Sequence, residues 1–289
     1  MNNIIECVNL SKKYDKNFIF NNVNVKINNG INGFVGPNGY GKTTFIEMCT
    51  GLKKYYTGDL YINGKKPDIE KNEIGLVMDK PVFPENVSVT DYINIISQLY
   101  GKKPDDSMID VLRLESVKNK KIRTLSAGYL KRLAFAVAII HNPKIVFADE
   151  PFSNVDPASI NAMKDIIMEM KKRGVSFLIS SHDLQELVDI ADNIFIIKNN
   201  KISKIERKKI NIFKVMLHSD NLKELKVFLA KDFNINNENE FVIVNLNERK
   251  DIKKLFFKLS GFQYSINYIK TVSEKEEILS DVIKAIDED

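Results

Sequence analysis

Nine residues of the chain have the types and the spacing of a phosphate-binding loop. They run Gly36-Pro-Asn-Gly-Tyr-Gly-Lys-Thr-Thr44 and fit the pattern Gly-x-x-x-x-Gly-Lys-Thr. Glycines let the backbone N–H groups turn inward around phosphates, and the start of a following helix adds partial positive charge there. Lys42 is expected to reach the β- and γ-phosphates, and the Thr43 hydroxyl to bind Mg²⁺. The sequence therefore predicts a site for ATP or GTP, formed by Gly36, Pro37, Asn38, Gly39, Tyr40, Gly41, Lys42, Thr43 and Thr44.

Two adjacent carboxylates follow a short apolar run at residues 145–148. Asp149 and Glu150 would stand at the carboxyl end of a buried strand, where ligand sites of α/β proteins lie. In a nucleotide hydrolase, the first acid would hold Mg²⁺, and the second would polarise the attacking water as general base. The alternative is a pair of acids that cap the next helix. The phosphate-binding loop in the same chain favours the catalytic interpretation.

Three further residues carry weaker signals. Ser126 is suited to cap the helix expected after it, and Gly128 would let an anion approach the free N–H groups of that helix. Because Ser caps many helices, this pattern alone does not define a site. His182 follows the apolar run at residues 175–180 and would stand at the same sheet edge as the two acids. Taken alone, it is more typical of a structural histidine.

The apolar pattern predicts the elements that would position these residues. Alternating apolar and polar side chains in residues 1–30 indicate half-buried antiparallel strands. Farther along, continuous apolar runs alternate with helical patterns, which indicates a parallel sheet covered on both faces. We expect strands at residues 31–35, 58–64, 74–78, 145–148, 175–180 and 193–198, and helices at 43–50, 91–99, 127–140, 159–172 and 184–190. Residues from about 87 to 141 would form a helical insert.

The last part of the chain, residues 206–289, has its own pattern. Strands are expected at 212–218, 233–235, 240–246 and 263–269, with a turn at 236–239, and helices at 222–230 and 251–259. A capping box at 273–276 would open a last helix that ends near Ile286. The order β-α-β-β-α-β-α predicts a small α+β accessory domain of the ferredoxin-like type. Many functions occur on this fold, so the pattern assigns none.

Composition and charge exclude several classes of protein. The chain has 289 residues, 44% of them hydrophobic, and a formal net charge of +5 from interspersed charges of both signs, so nucleic acid is not an expected partner. Cys7 and Cys49 have no metal-ligand or disulfide spacing and are expected to be free, buried thiols. The longest apolar run, residues 133–140, is far shorter than the ~20 residues that span a membrane. Attachment to a membrane would need a partner.

Together, these motifs resemble those of the nucleotide-binding domain of the ATP-binding cassette (ABC) family, over residues 1–205. Residues 36–44 match Walker A, 125–129 the signature, 145–150 Walker B and 153–156 the D-loop. The resemblance implies an α/β P-loop NTPase fold with an antiparallel β subdomain and a helical insert. It also implies ATP and Mg²⁺ as cofactors, Tyr14 stacked on adenine, and Asp156 at the nucleotide through the D-loop.

The resemblance further implies a second ATPase subunit in a head-to-tail dimer. Ser126 and Gly128 of one subunit would close over the γ-phosphate that the Walker A loop of the other subunit holds. His182 would then contact the γ-phosphate and stabilise the transition state, a role that replaces the structural interpretation. The site would be complete only when two chains, identical or related, meet.

Four positions depart from the pattern of the family. Asp79 stands where the family has a glutamine, and it could still join the Mg²⁺ and water network. The signature has Ala127 and Tyr129 in place of Gly and Gln, and Tyr40 occupies a loop position that the family fills with a small residue. A ring of that size is expected to point away from the phosphates or into the dimer seam.

The resemblance implies a subunit that hydrolyses ATP for a transporter and binds separate transmembrane permease subunits at the cytoplasmic face of the cell membrane. The small C-terminal appendage and Asp79 favour exporters of drugs, antimicrobials or amphipathic peptides, with the permease docked beside residues 79–90. The alternatives are an ABC ATPase that acts on ribosomes, which usually carries two cassettes in one chain, and an importer ATPase. A DNA-repair ATPase is disfavoured because only 84 positions separate Lys42 from Ser126, too few for its long coiled coil.

Overall fold

The computed structural model of the chain describes residues 3–67, 73–102, 106–205, 213–238, 240–246 and 251–272. The chain divides into two compact units, Met1–Ile205 and Glu206–Asp289, and each is described by itself. Among the described residues, none of the helices combines the length and the apolar character that a membrane-spanning segment needs.

The strands and helices expected in the first unit are present, with ends that differ by one or two residues, and a short helix at Asp106–Val111 and a strand at Lys201–Lys204 are additional. The strands are β1 (Asn3–Tyr14), β2 (Asn17–Asn28), β3 (Ile31–Val35), β4 (Thr57–Ile62), β5 (Ile74–Val77), β6 (Ile145–Asp149), β7 (Ser176–Ser181), β8 (Asn193–Lys198) and β9 (Lys201–Lys204). The helices are α1 (Lys42–Cys49), α2 (Val89–Leu99), α3 (Asp106–Val111), α4 (Ala127–Ile139), α5 (Pro157–Lys172) and α6 (Leu184–Val188).

An antiparallel sheet of order β2-β1-β4 covers one side of α1. Phe45 of α1 meets Phe20 of β2 edge-on, with ring centroids 5.8 Å apart, and stacks on Phe34 of β3 at 5.2 Å. Cys7 and Cys49 are free and buried in the same core, as expected, and burial together with the charge of Glu6 raises the pKa of Cys7 to about 12. Packing between two sheets therefore holds the helix that follows the phosphate-binding loop.

The second sheet has the order β5-β6-β7-β3-β8-β9. Its pairs are parallel from β5 to β8, as expected, but β9 adds an antiparallel edge strand. The apolar pattern missed β9 because Ile202 is its one buried residue. Since β6, β7 and β3 are neighbours, their carboxyl ends bring together the loop after β3, the two acids after β6 and His182 after β7.

The helical insert contains α2, α3 and α4, with two short 3₁₀ turns between α3 and α4 at Glu115–Val117 and Ile122–Thr124. Ser88 caps α2 by accepting a hydrogen bond from the Asp91 N–H at 3.1 Å. Arg132 of α4 is buried, and its guanidinium donates to the carbonyls of Leu112 and Arg113 at 3.2 and 3.0 Å. These bonds tie α4, which begins at the signature, to the segment that follows α3.

The second unit is an α+β sandwich with strands β10 (Phe213–Ser219), β11 (Asn234–Glu238), β12 (Phe241–Leu246) and β13 (Ile266–Val272), and helices α7 (Leu222–Ala230) and α8 (Asp251–Leu259). All strand pairs are antiparallel, and the sheet order is β11-β12-β10-β13. Val215, Leu217 and Val244 of the sheet pack against Leu225 and Leu255 of the helices. This connectivity and order are those of the predicted ferredoxin-like domain.

Two boundaries in the second unit differ from the prediction. Asn236 and Asn237 lie in β11, paired with Ile243 and Val242, rather than in a turn. Pairing with an apolar strand overrides the low strand preference of asparagine. The last strand begins at Ile266 rather than near residue 263, because Phe262 packs into the core before the strand starts. The expected capping box at 273–276 and its helix lie outside the described residues.

Candidate nucleotide-binding and hydrolysis site

The phosphate-binding loop connects β3 to α1. Gly41, the N-cap of α1, has a φ of 106°, and a Cβ at this position would lie 2.6 Å from Ile19 Cγ2. The left-handed backbone and the close packing on β2 both require glycine here. The loop borders a cavity of about 190 Å³, lined by Pro37, Asn38, Gly39, Gly41, Lys42, Thr43, Thr44, Asp79, Asp149 and Glu150.

Two residues of the loop lie outside this lining. Gly36, the first residue of the loop, is buried. Tyr40 is exposed, and its side chain is not among the described groups that line the cavity. The Tyr40 N–H still donates to the carbonyl of Pro37 at 3.4 Å, so the backbone of Tyr40 takes part in the loop turn.

Lys42 is a buried cation at the start of α1. Its Nζ donates to the Gly36 carbonyl at 2.6 Å and to the Pro37 carbonyl at 3.4 Å. The same atom lies 3.7 Å from Glu150 Oε1. The ammonium group therefore lies between the loop and the acid that follows β6.

Asp149 is held at the end of β6 by two hydroxyl groups. Its Oδ2 accepts a hydrogen bond from Thr43 Oγ1 at 2.6 Å, and its Oδ1 accepts one from Ser180 Oγ at 2.5 Å. The carboxylate is buried, and both of its oxygens have fixed partners. Sequence reasoning missed Ser180, because its contact with Asp149 depends on the register of β6 beside β7.

Glu150 combines an unusual backbone conformation with one carboxylate oxygen that has no hydrogen-bond partner among the described residues. Its φ is 48°, in the left-handed region, and its N–H donates to Ser180 Oγ at 3.0 Å. Oε2 lies 2.7 Å from His182 Nδ1 and accepts a hydrogen bond from the His182 backbone N–H at 3.3 Å. Oε1 is buried and has no hydrogen-bond partner in the part of the chain that the structure describes. An acceptor is thus available at the cavity wall.

The oxygen donors at the cavity fit a Mg²⁺ ion that arrives with a nucleotide. Mg²⁺ is usually held by one or two carboxylates together with waters and substrate phosphates. The Thr43 hydroxyl and the Asp149 carboxylate supply such oxygens side by side. Within the described residues, no group of three or more His, Cys, Asp or Glu side chains could hold a metal by itself. The Thr43 hydroxyl and the Asp149 carboxylate therefore fit an ion that is also bound by phosphate oxygens.

Tyr14, the expected adenine contact, lies at the end of β1 and is exposed. Its hydroxyl accepts a hydrogen bond from Lys53 Nζ at 2.6 Å, and the Nζ of Lys12 lies 4.9 Å from the ring centroid. Burial raises the pKa of Tyr14, but hydrogen bonds to Lys53 and Thr44 and the charges of Lys53 and Lys12 together lower it below its usual value. Thr44 links this ring to the phosphate cavity.

The signature and D-loop residues do not line the cavity of their own chain. Ser126 is the N-cap residue of α4, as predicted, but its exposed side chain makes no capping hydrogen bond. A Cβ on Gly128 would lie 2.6 Å from the Asn154 carbonyl oxygen, so the signature packs closely on the D-loop. Asp156 caps α5 by accepting from the Ser159 N–H at 3.0 Å, and the hydrogen bonds to Ser159 lower its pKa.

Asp79, which follows β5, pairs with a lysine that sequence reasoning did not single out. Its Oδ1 accepts a hydrogen bond from Lys131 Nζ at 3.0 Å, while the residue also lines the phosphate cavity. The missed signal was a charged residue inside the apolar helix Ala127–Ile139. The sequence pattern did not indicate that Asp79 is the partner of this lysine.

Comparison with known proteins agrees with this geometry. The sequence profile of the family described as ABC transporter matches residues 20–153. The lantibiotic transport ATP-binding protein SrtF of Streptococcus pyogenes is 31% identical over 205 residues, which are 69% of this chain and 89% of SrtF. The chain belongs to the ATP-binding subunits of ABC transporters.

Two further proteins resemble this ABC ATPase. The bacitracin transport ATP-binding protein BcrA of Bacillus licheniformis is 32% identical over 211 residues, which are 70% of this chain and 69% of BcrA. A solved structure of the ATP-binding subunit of an ABC transporter superposes with a TM-score of 0.64 at 23% identity and covers 70% of this chain and 89% of its own. The predicted fold class is confirmed, and the chain is an ATP hydrolase of this family.

Proposed function

We propose that this ABC ATPase drives a membrane exporter of a drug, an antimicrobial or an amphipathic peptide. One observation carries the catalytic part. Glu150 Oε1 is a buried acceptor without a hydrogen-bond partner among the described residues, on the wall of the phosphate cavity and 3.7 Å from Lys42 Nζ. A carboxylate oxygen in this position can take the proton of a water that attacks the γ-phosphate.

Each residue of the site has one role in this proposal. Lys42 and the N–H groups of the loop bind the β- and γ-phosphates, and Thr43 and Asp149 hold Mg²⁺. When bound, the ion neutralises the charge that develops on the phosphates. Glu150 is the general base, and His182, oriented through Nδ1, presents its other ring nitrogen to the γ-phosphate. Tyr14 stacks on adenine.

A second ATPase subunit completes the site. The Ser126 side chain is exposed and makes no capping hydrogen bond, so its hydroxyl and the first N–H groups of α4 can bind a phosphate. Gly128 lets the start of α4 pack closely against the D-loop, since a Cβ there would lie 2.6 Å from the Asn154 carbonyl oxygen. In a head-to-tail dimer of identical or related chains, this signature would face the Walker A loop of the other subunit, with Asp156 at the seam.

Transmembrane permease subunits would bind beside residues 79–90, at the cytoplasmic face of the membrane. Val82 in this segment is 93% exposed, and Phe83 meets the ring of Tyr92 edge-on at 5.4 Å. These side chains offer an apolar contact to a partner. The names of SrtF and BcrA, which refer to lantibiotic and bacitracin transport, support a peptide or antimicrobial substrate. Within this class, the ATPase of the staphylococcal phenol-soluble-modulin exporter is the specific candidate.

The variant Glu150→Gln tests the catalytic role. We expect kcat for ATP hydrolysis to fall about 10²- to 10⁴-fold, because the amide cannot act as general base, while ATP binding and an ATP-dependent dimer persist. Phosphate release, equilibrium binding and size-exclusion chromatography measure these properties. Glu169→Gln, which changes an exposed carboxylate paired with Arg173 on α5, is the control. Hydrolysis by Glu150→Gln at the wild-type rate would move the general-base role to another residue.

Copurification from detergent-solubilised membranes tests the transporter role. We expect a polytopic membrane protein to copurify with the full-length chain. Recovery with ribosomes in place of a membrane partner would favour the ribosome-acting alternative. If the complex reconstituted in vesicles moved substrate toward the ATPase side, the chain would belong to an importer.

A further inference from the structure

Lys131 is a buried cation in the helix that follows the signature. The residue is 3% exposed, and the residues Leu133, Ala134 and Phe135 that follow it in α4 are also buried. Burial of an ammonium group is unfavourable unless the charge is paired and its N–H donors are hydrogen-bonded. The contacts of Nζ therefore indicate why this lysine is here.

Four oxygen atoms surround Lys131 Nζ. The two shorter contacts are with the Glu150 carbonyl oxygen at 2.9 Å and with Asp79 Oδ1 at 3.0 Å. The carbonyls of Met78 and Asp149 both lie at 3.4 Å. An ammonium group has three donors, so all of them have acceptors. One side chain of α4 thereby joins the end of β5 to the end of β6.

The first of these contacts joins Lys131 to Glu150, whose backbone is strained. A φ of 48° is uncommon for any residue other than glycine, and such a conformation persists only where its surroundings determine it. The Glu150 N–H donates to Ser180 Oγ at 3.0 Å, and its carbonyl accepts from Lys131. Hydrogen bonds to the N–H and to the carbonyl of Glu150 thus set the direction in which its side chain points.

The contact with Asp79 balances the charge. In the described part of the chain, Asp79 is the carboxylate within ion-pair distance of Lys131, and it also faces the phosphate cavity. A neutral side chain at position 79 would leave the buried ammonium without a counter-charge. The aspartate and the lysine therefore form one unit that touches both the nucleotide cavity and α4.

We infer that Lys131 is a positioning residue for ATP hydrolysis, which holds Glu150 in its catalytic orientation and fixes Asp79 at the phosphate cavity. The inference rests on the proposed role of Glu150 as general base. Because Lys131 belongs to α4, it also links that orientation to the helix that begins at the signature. Lys131 does not line the cavity and makes no contact with ATP in this scheme.

The test compares Lys131→Gln with the double variant Asp79→Asn/Lys131→Gln in the full-length chain. We expect Lys131→Gln to lower kcat on the order of 10- to 100-fold through misplacement of Glu150, with KM and the equilibrium affinity for ATP within about threefold of wild type. The double variant removes both charges, so it should recover thermal stability that the single variant loses, but not kcat. Lys164→Gln, which breaks an ion pair between a largely buried lysine of α5 and the exposed Asp189 after α6, is the control and should keep wild-type kcat.

Each outcome decides the question. Recovery of wild-type kcat in the double variant would overturn the inference, because the lysine would then serve stability alone. A parallel loss of ATP affinity would overturn it too, since the effect would lie in binding. An unchanged kcat in Lys131→Gln, with Glu150→Gln inactive, would refute the role of Lys131 and leave the proposed function intact. Full activity of Glu150→Gln would instead refute the proposed function, and the inference with it.

Discussion

The two units of the chain bury different kinds of residues. In the first unit, buried polar or charged residues include Lys42, Lys131, Asp149 and Ser180, all at the carboxyl edge of the second sheet. In the described residues of the second unit, Ser219 is the one polar residue that is buried. The first core therefore contains costly polar groups that hydrogen bonds must satisfy, whereas the second core is aliphatic and aromatic.

Backbone conformation shows the same contrast. In the first unit, Glu150 and Asn154 have positive φ values of 48° and 59° next to the phosphate cavity and the signature. Among the described residues of the second unit, no residue other than glycine has a positive φ. Buried charge and a left-handed backbone thus occur together at this sheet edge, although the first unit also has positive φ values elsewhere, for example at Asn63 and Arg113. Among the described residues, the second unit has neither feature, so its fold depends on apolar packing and on the hydrogen bonds of its sheet.

The largest effect is expected in the second unit and concerns stability. Leu225 of α7 is fully buried in the core. Leu225→Ala should lower the free energy of unfolding of this unit by about 2–5 kcal/mol, because it leaves a cavity in a close-packed core. Val227 lies on the same helix and is 60% exposed, so Val227→Ala should change the free energy of unfolding by no more than about 0.5 kcal/mol. Hydrogen exchange with mass spectrometry, unit by unit, measures the difference.

The same pair of variants tests the separation of the two units. At a temperature where the first unit stays folded, Leu225→Ala should keep the wild-type kcat for ATP hydrolysis. If kcat fell in proportion to the loss of stability, the second unit would contribute to catalysis and the contrast between the units would fail.

A smaller effect is expected from Lys42→Ala, at the phosphate edge of the first unit. This change removes a buried ammonium group that would bind the β- and γ-phosphates, so the dissociation constant for ATP should rise about 10- to 100-fold, the value of a charged hydrogen bond. Equilibrium binding of a fluorescent ATP analogue measures it. Lys144→Ala, at the opposite end of β6, is the control and should bind as wild type. Equal affinities of both variants would remove Lys42 from the site.

The sequence predicted the central strands of the first unit because most of them contain several adjacent apolar residues, such as residues 145–148 of β6 and 177–179 of β7. It failed at β9, whose four residues contain a single buried side chain. In the second unit, the turn expected at 236–239 was wrong because the pairing of Asn236 with Ile243 is set by a strand elsewhere in the chain.

At the site, too, the sequence predicted some residues and missed others. Lys42, Asp149 and Glu150 were found because short motifs place them on neighbouring elements, and their roles stay predictions. Ser180 and Lys131 were not found, since each acts through a contact that only the fold creates. Ser180 meets Asp149 across 31 positions of sequence, and Lys131 meets Asp79 across 52. A local sequence pattern cannot predict a contact between residues that are so far apart along the chain.

The smallest effect is expected from the pH dependence of His141, a buried titratable residue of the first unit away from the phosphate cavity. Its ring stacks on Tyr100 at 4.2 Å between centroids, and its Nε2 lies 3.1 Å from the Ile74 carbonyl oxygen. Burial lowers its pKa below 6.5, and the charge of Lys102 lowers it further, whereas the Ile74 carbonyl raises it. Because the unfolded chain takes up this proton more readily, stability is present above about pH 6.5 and falls as the pH decreases.

The variant His141→Gln isolates this contribution. It should lose less stability than wild type when the pH falls from about 8 to about 5.5, although the lost ring contact makes it less stable at both values. Val227→Ala, in the second unit, changes no titratable group and should lose as much stability as wild type over the same range. Denaturation followed by circular dichroism measures the three pH slopes. If His141→Gln and wild type had equal slopes, His141 would take up its proton as readily in the folded chain as in the unfolded chain. Burial would then not lower the pKa of His141.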